Sequence, residues 1–186
     1  VKRAVDLVEI LVGVREKFPD ASLVVVGEGS QRSEMLDLVD SRDLVKDFLL
    51  IGSRAQEWIA SFLAEADVVV APMMGRALVE AALSATPIVA YDTDWHGELI
   101  DDGETGRLVS CGDVAAMTRA VCDLLTQRES GRIMGGFARL RVMGSMSRDT
   151  VLAAEREAWA RLVPHLVDED PGDSHTPDKT EGTGGR

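Results

Sequence analysis

The chain has 186 residues, of which 45% are hydrophobic and only 4% aromatic, and its formal net charge is −12 at pH 7. This length allows one ordinary domain with a sizeable core of Val, Leu, Ala and Ile. The acidic charge argues against nucleic acids and anionic membranes as partners, and no apolar run is long enough to span a membrane. Cys111 and Cys122 lack metal-ligand spacing, so we expect reduced thiols in a cytoplasmic protein.

Helix and strand patterns alternate from the N-terminal end of the chain. Residues 4–18 carry apolar side chains at helical spacing and end at Pro19. A strand at 23–26, a helix at 31–40 and a strand at 48–51 follow. The next helix is predicted to direct five apolar residues inward: Trp58, Ile59, Phe62, Leu63 and Ala66.

The stretch 67–109 organises the rest of the chain. Its short apolar runs, at 68–71, 87–91 and 107–109, are typical of parallel strands that are buried on both faces. A turn at 72–75 leads into a helix at 76–84, and the free N–H groups at such a helix start are suited to phosphates. Glu80 lies one turn into that helix.

The C-terminal part of the sequence is predicted to be helical and then disordered. Asp113 is a plausible N-cap of a helix that buries Val114, Met117, Val121, Leu124 and Leu125. A further helix is predicted to hold Ile133 and Phe137 inward, and another covers about 149–166. Residues 167–186 carry six acidic and two basic side chains and few apolar ones, so we expect a disordered tail.

This alternation predicts an α/β fold: a Rossmann-like doubly wound parallel sheet with helices on both faces, over residues 1–166. The strand order of such a sheet is 3-2-1-4-5-6, and the chain begins with the helix that should follow the first strand. The five predicted strands are therefore the second to the sixth. A central position between 23–26 and 68–71 should then lack its strand.

Seven segments together resemble one family. They are KRAVDL (2–7), FPDASLVVVGEG (18–29), FLLIG (48–52), ADVVVAP (66–72), LVEAA (78–82), TPIVA (86–90) and ELIDDGETGRLV (98–109). Each is weak alone, but in this order they resemble the C-terminal, donor-binding half of group 1 (GT4-like) retaining glycosyltransferases of the two-domain GT-B fold. The resemblance covers about residues 1–127.

The resemblance implies hexosyl transfer from a nucleoside diphosphate sugar with retention, and no metal or cofactor besides the donor. An acceptor-binding N-terminal half is missing from the sequence, and the resemblance leaves peripheral membrane association through that half open. Lys2 matches the family lysine that pairs with the diphosphate, and Glu80 the glutamate that holds the ribose hydroxyls. The remaining matches are backbone positions around the nucleotide: Gly27, Gly29, Gly52, Gly75, Arg76, Ala77, Leu78 and Val79.

Two departures from the family pattern keep alternatives open. The turn at 72–75 contains Met73 and Met74 where the family carries an acidic segment whose glutamate touches the donor sugar. A non-catalytic module that binds nucleotide sugars is therefore the main alternative, and an epimerase of the same fold is a third. The acidic link after Tyr91 also differs from the commoner glycine pair.

Three local patterns have competing interpretations. Gly27 and Gly29 could begin a dinucleotide fingerprint, but no third glycine follows at the required distance. Asp92 and Asp94 form an Asp-x-Asp pair, but it follows the wrong strand for the glycosyltransferase fold in which such a pair binds metal, and two acidic loop residues are the simpler explanation. His96 lies where a ligand-binding residue would be expected, although an ordinary loop histidine explains it more simply.

Overall fold

The structure is a computed structural model that describes residues 3–146 and 148–163. Its N-terminal part consists of α1 (Asp6–Lys17), β1 (Leu23–Val25), α2 (Arg32–Ser41), β2 (Phe48–Leu50) and α3 (Gln56–Glu65). The central part continues with β3 (Val69–Ala71), α4 (Ala77–Leu83), β4 (Ile88–Asp92), α5 (His96–Leu99) and β5 (Arg107–Ser110). Two long helices follow, α6 (Val114–Thr126) and α7 (Arg128–Ser145).

All the strands pair in parallel, in two groups. β1 pairs with β2, and β4 lies between β3 and β5. Val70 of β3 packs against two apolar clusters, one around β4 and α6 and the other around β1 and β2. The two groups of strands therefore lie side by side and meet at a boundary. The pairings within each group are those predicted for a doubly wound sheet, and no strand of the described residues joins the two groups.

The backbone at this boundary has unused pairing capacity. Leu23 N–H donates to Asp47 O, and Val69 N–H donates to Pro87 O. Because neighbouring residues of a strand direct their N–H and C=O groups to opposite sides, Val24 and Val70 direct theirs toward the boundary. A further parallel strand would pair with both.

Helices cover both faces of the sheet, as predicted. Along β4, Ile88 and Ala90 point to one face, whereas Val89 and Tyr91 point to the other. The first pair packs against α4, α5 and α7; the second packs against α1 and α6. α1 also supplies Leu7, Val8 and Leu11 to the cluster around β1 and β2. This one helix therefore spans the boundary between the two groups of strands.

The buried face of α7 is not the predicted one. Ile133 and Phe137 are 51% and 53% exposed, whereas the buried residues are Gly131, Gly135, Ala138 and Val142. A Cβ on Gly135 would meet the backbone of Ala85, with its carbonyl carbon 2.7 Å away. Small residues thus bring α7 into backbone contact with the link before β4, and the larger apolar residues face outward. The prediction of an inward Phe137 and Ile133 is wrong.

α3 also departs from its predicted orientation. None of its residues is buried, and Trp58 is 40% exposed, with Phe62 stacked on it at 5.0 Å between ring centroids. Leu63 alone of the five packs against the core cluster of β3 and β4, and its carbonyl accepts a hydrogen bond from the Thr86 hydroxyl at 2.5 Å. α3 is therefore held by one edge, and Trp58 does not face inward as predicted.

Some predictions for the C-terminal part fall within the described residues, and others lie outside them. Asp113 caps α6 as predicted, since its carboxylate accepts from Ala116 N–H at 2.8 Å. A separate unit contains α8 (Arg148–Leu162), with an Arg161–Glu157 ion pair one turn apart. The predicted domain boundary at 166 and the tail at 167–186 lie outside the described residues. No helix within 3–146 or 148–163 is long and apolar enough to cross a membrane.

Candidate functional site

Two loops meet at the carboxyl ends of β1 and β2. Gly27 N–H donates to Gly52 O at 2.9 Å, and the two residues form an isolated bridge. Their φ angles of +126° and +67° lie in the region where a side chain is strained, so glycine is needed at both positions. Ligands of open α/β sheets bind beyond the carboxyl ends of the strands, which is where this bridge lies.

The four predicted site glycines differ in how much open space surrounds them. Within the described part of the chain, no heavy atom lies within 4 Å of where a Cβ would stand on Gly27, Gly29 or Gly75. A ligand can therefore approach the backbone at these three residues closely. At Gly52 the same place is taken by the Glu28 carboxylate, with Oε1 2.7 Å from it.

The turn after β3 leads into α4, as the sequence predicts. Leu78 N–H donates to Gly75 O at 2.9 Å and Val79 N–H to Arg76 O at 3.0 Å, so the first turn closes immediately after Gly75. Leu78 is wholly buried and roots α4 in the core, whereas Gly75, Arg76 and Ala77 are exposed. The residues accessible to solvent at this edge are therefore those at the start of α4, and Leu78 is not among them.

Glu80 lies on α4 with its side chain 22% exposed. Its Oε1 is 3.7 Å from Nε of Arg76, whose side chain is 87% exposed. A cavity of about 290 Å³ lies beside Glu80, lined also by Ile59, Leu83 and Arg139. The carboxylate thus has a weak, solvent-exposed partner and open space next to it, so it is available to a ligand.

The structure adds a residue that the sequence left undecided. His96, the first residue of α5, is wholly buried. Its Nδ1 is 2.9 Å from Tyr91 O, at the end of β4. Its Nε2 is 2.9 Å from Met74 O and 3.1 Å from Met74 N, in the turn before α4. The only sequence signal was its position just beyond a strand's carboxyl end, which gives no information on burial.

A polar network connects the start of α1 to the same end of β4. The Tyr91 hydroxyl donates to Asp6 Oδ2 at 2.9 Å, and Arg3 Nε donates to the same oxygen at 2.8 Å. Burial, followed by the hydrogen bond to Asp6, raises the pKa of Tyr91, so the phenol stays protonated. The network fixes the N-terminal end of α1.

Some predicted residues are not brought into a site by the described structure. Lys2 lies outside the described residues. Asp92 and Asp94 are exposed, and no group of three or more His, Cys, Asp or Glu side chains suited to a metal occurs within residues 3–146 and 148–163. Among the predicted site residues, Gly27 contacts Gly52 beyond the carboxyl ends of β1 and β2, and Arg76 contacts Glu80 after β3.

Comparison with known proteins identifies the family. The family model described as "Glycosyl transferases group 1" matches residues 1–127. The chain belongs to the group 1 glycosyltransferases. The resemblance stated from the sequence motifs is therefore confirmed, over the same range of residues.

Curated relatives of this glycosyltransferase are much longer than the chain. A 2-deoxystreptamine N-acetyl-D-glucosaminyltransferase from Streptomyces fradiae is 31% identical over 137 residues, which make up 72% of this chain and 32% of the relative. A phosphatidyl-myo-inositol mannosyltransferase from Mycobacterium leprae is 36% identical over 124 residues, or 64% of this chain and 32% of the relative. The chain thus spans about a third of the length of these relatives.

Solved structures confirm the predicted Rossmann-like fold of this chain. Anabaena HepE in complex with UDP has a TM-score of 0.78 at 20% identity, covering 87% of this chain and 46% of that one. The C-terminal domain of a group 1 glycosyltransferase from Francisella tularensis has a TM-score of 0.71 at 23% identity. It covers 79% of this chain and 80% of that one. At these identities the likeness concerns the fold alone.

Proposed function

We propose that this chain is the donor-binding half of a retaining hexosyltransferase that transfers a sugar from a nucleoside diphosphate to an acceptor. Membership of the group 1 family supports the reaction class. The observation that carries the proposal is the open backbone of Gly27, Gly29 and Gly75 at the carboxyl ends of the parallel strands, with Glu80 on the helix that starts after Gly75. Openness at that edge is what a nucleotide needs in order to contact main-chain groups.

Each predicted residue has a task suited to its chemistry. The loop at Gly27 and Gly29 approaches the nucleotide, and Gly52 lies near the base. Residues 75–79 lie under the diphosphate, which receives a positive charge from Lys2. The Glu80 carboxylate accepts hydrogen bonds from two neighbouring ribose hydroxyls at once.

The enzyme is proposed to use no metal and no cofactor besides the donor. The cation of Lys2 and the free backbone N–H groups near Gly75 can balance the diphosphate charge. UDP is the first nucleotide to test, since a structure of the same fold contains it. The donor sugar and acceptor are left to experiment.

The acceptor site and the remaining strand are proposed to come from an N-terminal half. The unfilled position between β1 and β3 fits one parallel strand supplied from that half, with Val24 and Val70 as its backbone partners. Without it the 186-residue chain should be marginally stable and inactive. We propose a cytoplasmic enzyme, with any membrane contact made by the N-terminal half.

The decisive experiment measures nucleoside diphosphate release by the full-length protein. Release from a panel of donors, with and without a panel of acceptors, should depend on both substrates, and the product should keep the anomeric configuration of the donor by NMR. Inversion at the anomeric carbon would contradict the retaining mechanism.

One observation favours a second function, a nucleotide-sugar-binding module without catalysis. The turn at 72–75 has no acidic residue, and Met74 packs against the core instead of offering a polar group to a sugar. This alternative predicts that the donor binds to the full-length protein and that no acceptor stimulates release.

A further inference from the structure

His96 has an environment that a loop histidine rarely has. The side chain is 0% exposed, both ring nitrogens lie within hydrogen-bonding distance of backbone groups, and the Trp95 ring stands edge-on at 6.0 Å between centroids. Trp95 and Met74 both pack against the core cluster of β3 and β4. Buried polar side chains persist where each polar atom has a partner, and here the partners belong to two different segments.

The two ring nitrogens contact the backbone of two different segments. Nδ1 is 2.9 Å from Tyr91 O, and Nε2 is 2.9 Å from Met74 O and 3.1 Å from Met74 N. Each carbonyl can only accept, so either ring nitrogen can act as the donor. In either tautomer the imidazole connects the end of β4 to the turn before α4.

The turn that His96 holds leads directly to the residues proposed to bind the donor. Met74 precedes Gly75, whose carbonyl accepts the first hydrogen bond of the α4 turn, from Leu78. Glu80 follows within the same short helix. A displacement of Met74 would therefore move Gly75 and change its position relative to the end of β4.

We propose that His96 is a positioning residue for donor binding, which holds the turn at 72–76 in its binding arrangement through the backbone of Met74. The imidazole itself is buried and touches no substrate. This inference rests on the proposed function, because it assigns to His96 the geometry of that same site.

Two substitutions each keep one of the two backbone contacts of His96 and remove the other. His96→Asn places its amide near the position of Nδ1, so it can keep the contact with Tyr91 and loses Met74. His96→Gln places its amide near the position of Nε2, so it can keep Met74 and loses Tyr91. Both put a smaller neutral amide into the same buried site, so each is the stability control for the other.

The test measures donor KM and kcat of the full-length protein with UDP-sugar, together with the thermal midpoint of each variant. We expect His96→Asn to raise the donor KM about tenfold, as the loss of one buried hydrogen bond can do, with little change in the acceptor KM. His96→Gln should stay within about threefold of wild type. Equal losses in both variants, or no loss in either, would overturn the proposal.

Hydrogen exchange keeps this inference separate from the proposed function. If wild-type protein binds no nucleoside diphosphate, the proposed function fails, but exchange at the Met74 amide still tests the contact. That amide should be protected in wild type and His96→Gln, and should exchange faster in His96→Asn. Equal exchange in all three proteins would overturn the role of His96 directly.

Discussion

Removing the Glu80 carboxylate should weaken nucleotide binding far more than it destabilises the fold. Its ion pair with Arg76 spans 3.7 Å, and the Arg76 side chain is 87% exposed. Such exposed pairs one helical turn apart contribute about 0.3–0.5 kcal/mol. Since Glu80 makes no closer ion pair within the described residues, Glu80→Ala should lower the thermal midpoint by about 2 °C or less.

The expected loss in binding follows from the bonds that the carboxylate is proposed to make. Hydrogen bonds to a charged group contribute roughly 1.5–3 kcal/mol each, and 1.4 kcal/mol is a factor of ten in affinity. The loss of one such bond corresponds to about ten- to a hundredfold, so Glu80→Ala should weaken binding of a nucleoside diphosphate by at least that factor. Glu80→Gln keeps one acceptor and should lose less.

Calorimetric titration of the full-length variants with UDP measures this difference. Glu34→Ala is the matched control, because Glu34 is an exposed carboxylate in the first turn of another helix, α2. It should bind UDP as wild type does. If folded Glu80→Ala also binds UDP with wild-type affinity, then Glu80 is a surface glutamate and the assignment of the ribose site is refuted.

Three further predictions concern packing, pH and metal. Gly135→Ala should destabilise the protein by about 1–3 kcal/mol in urea unfolding, because its Cβ would meet the backbone of Ala85; Gly136→Ala, with nothing near its Cβ among the described residues, should stabilise it by up to about 1 kcal/mol. Equal effects of the two would contradict the packing of α7. Desolvation raises the pKa of Asp102, but hydrogen bonds from Leu108 N–H and the Arg107 guanidinium outweigh it and hold this pKa below 3.8. Wild type should therefore be more stable than Asp102→Asn, by at most about 1 kcal/mol for so exposed a pair. This difference in stability should be fully present above pH 5 and lost as the pH falls below 3.8 in acid unfolding. A difference independent of pH would contradict this prediction. Transfer by the full-length protein should persist in excess chelator, and loss restored by manganese would assign Asp92 and Asp94 as metal ligands.

The order of the strands could be predicted because it depends on backbone rules that the sequence exposes. Short Val-rich runs separated by helices leave few alternatives to a parallel doubly wound sheet. We predicted five strands in the second to sixth positions, and the structure has β1 beside β2 and β4 between β3 and β5. The bridge between Gly27 and Gly52 was not predicted, because it depends on how two loops meet.

The packing face of α7 could not be predicted from hydrophobicity. Ile133 and Phe137 have the spacing of a buried stripe, yet the helix buries Gly131 and Gly135 on its other side. A close backbone contact, as at Gly135 against Ala85, requires the absence of side chains. Apolar periodicity reports which residues are able to be buried, but it does not report how near two backbones come.

The burial and contacts of His96 also could not be predicted from the sequence. Its partners, Tyr91 O and the N–H and carbonyl of Met74, are backbone groups, so no side-chain pattern could point to them. The distance of 22 residues between His96 and Met74 is bridged only when β3 and β4 pair. A buried polar contact of this kind depends on the tertiary structure and leaves no local signature.

Amide hydrogen exchange of the full-length protein with bound UDP locates the nucleotide directly. We expect UDP to protect 27–29, 52 and 75–80, at the carboxyl ends of β1, β2 and β3. Protection confined to the cavity between the loop at 103–105 and α7, with the glycine loops unchanged, would contradict it.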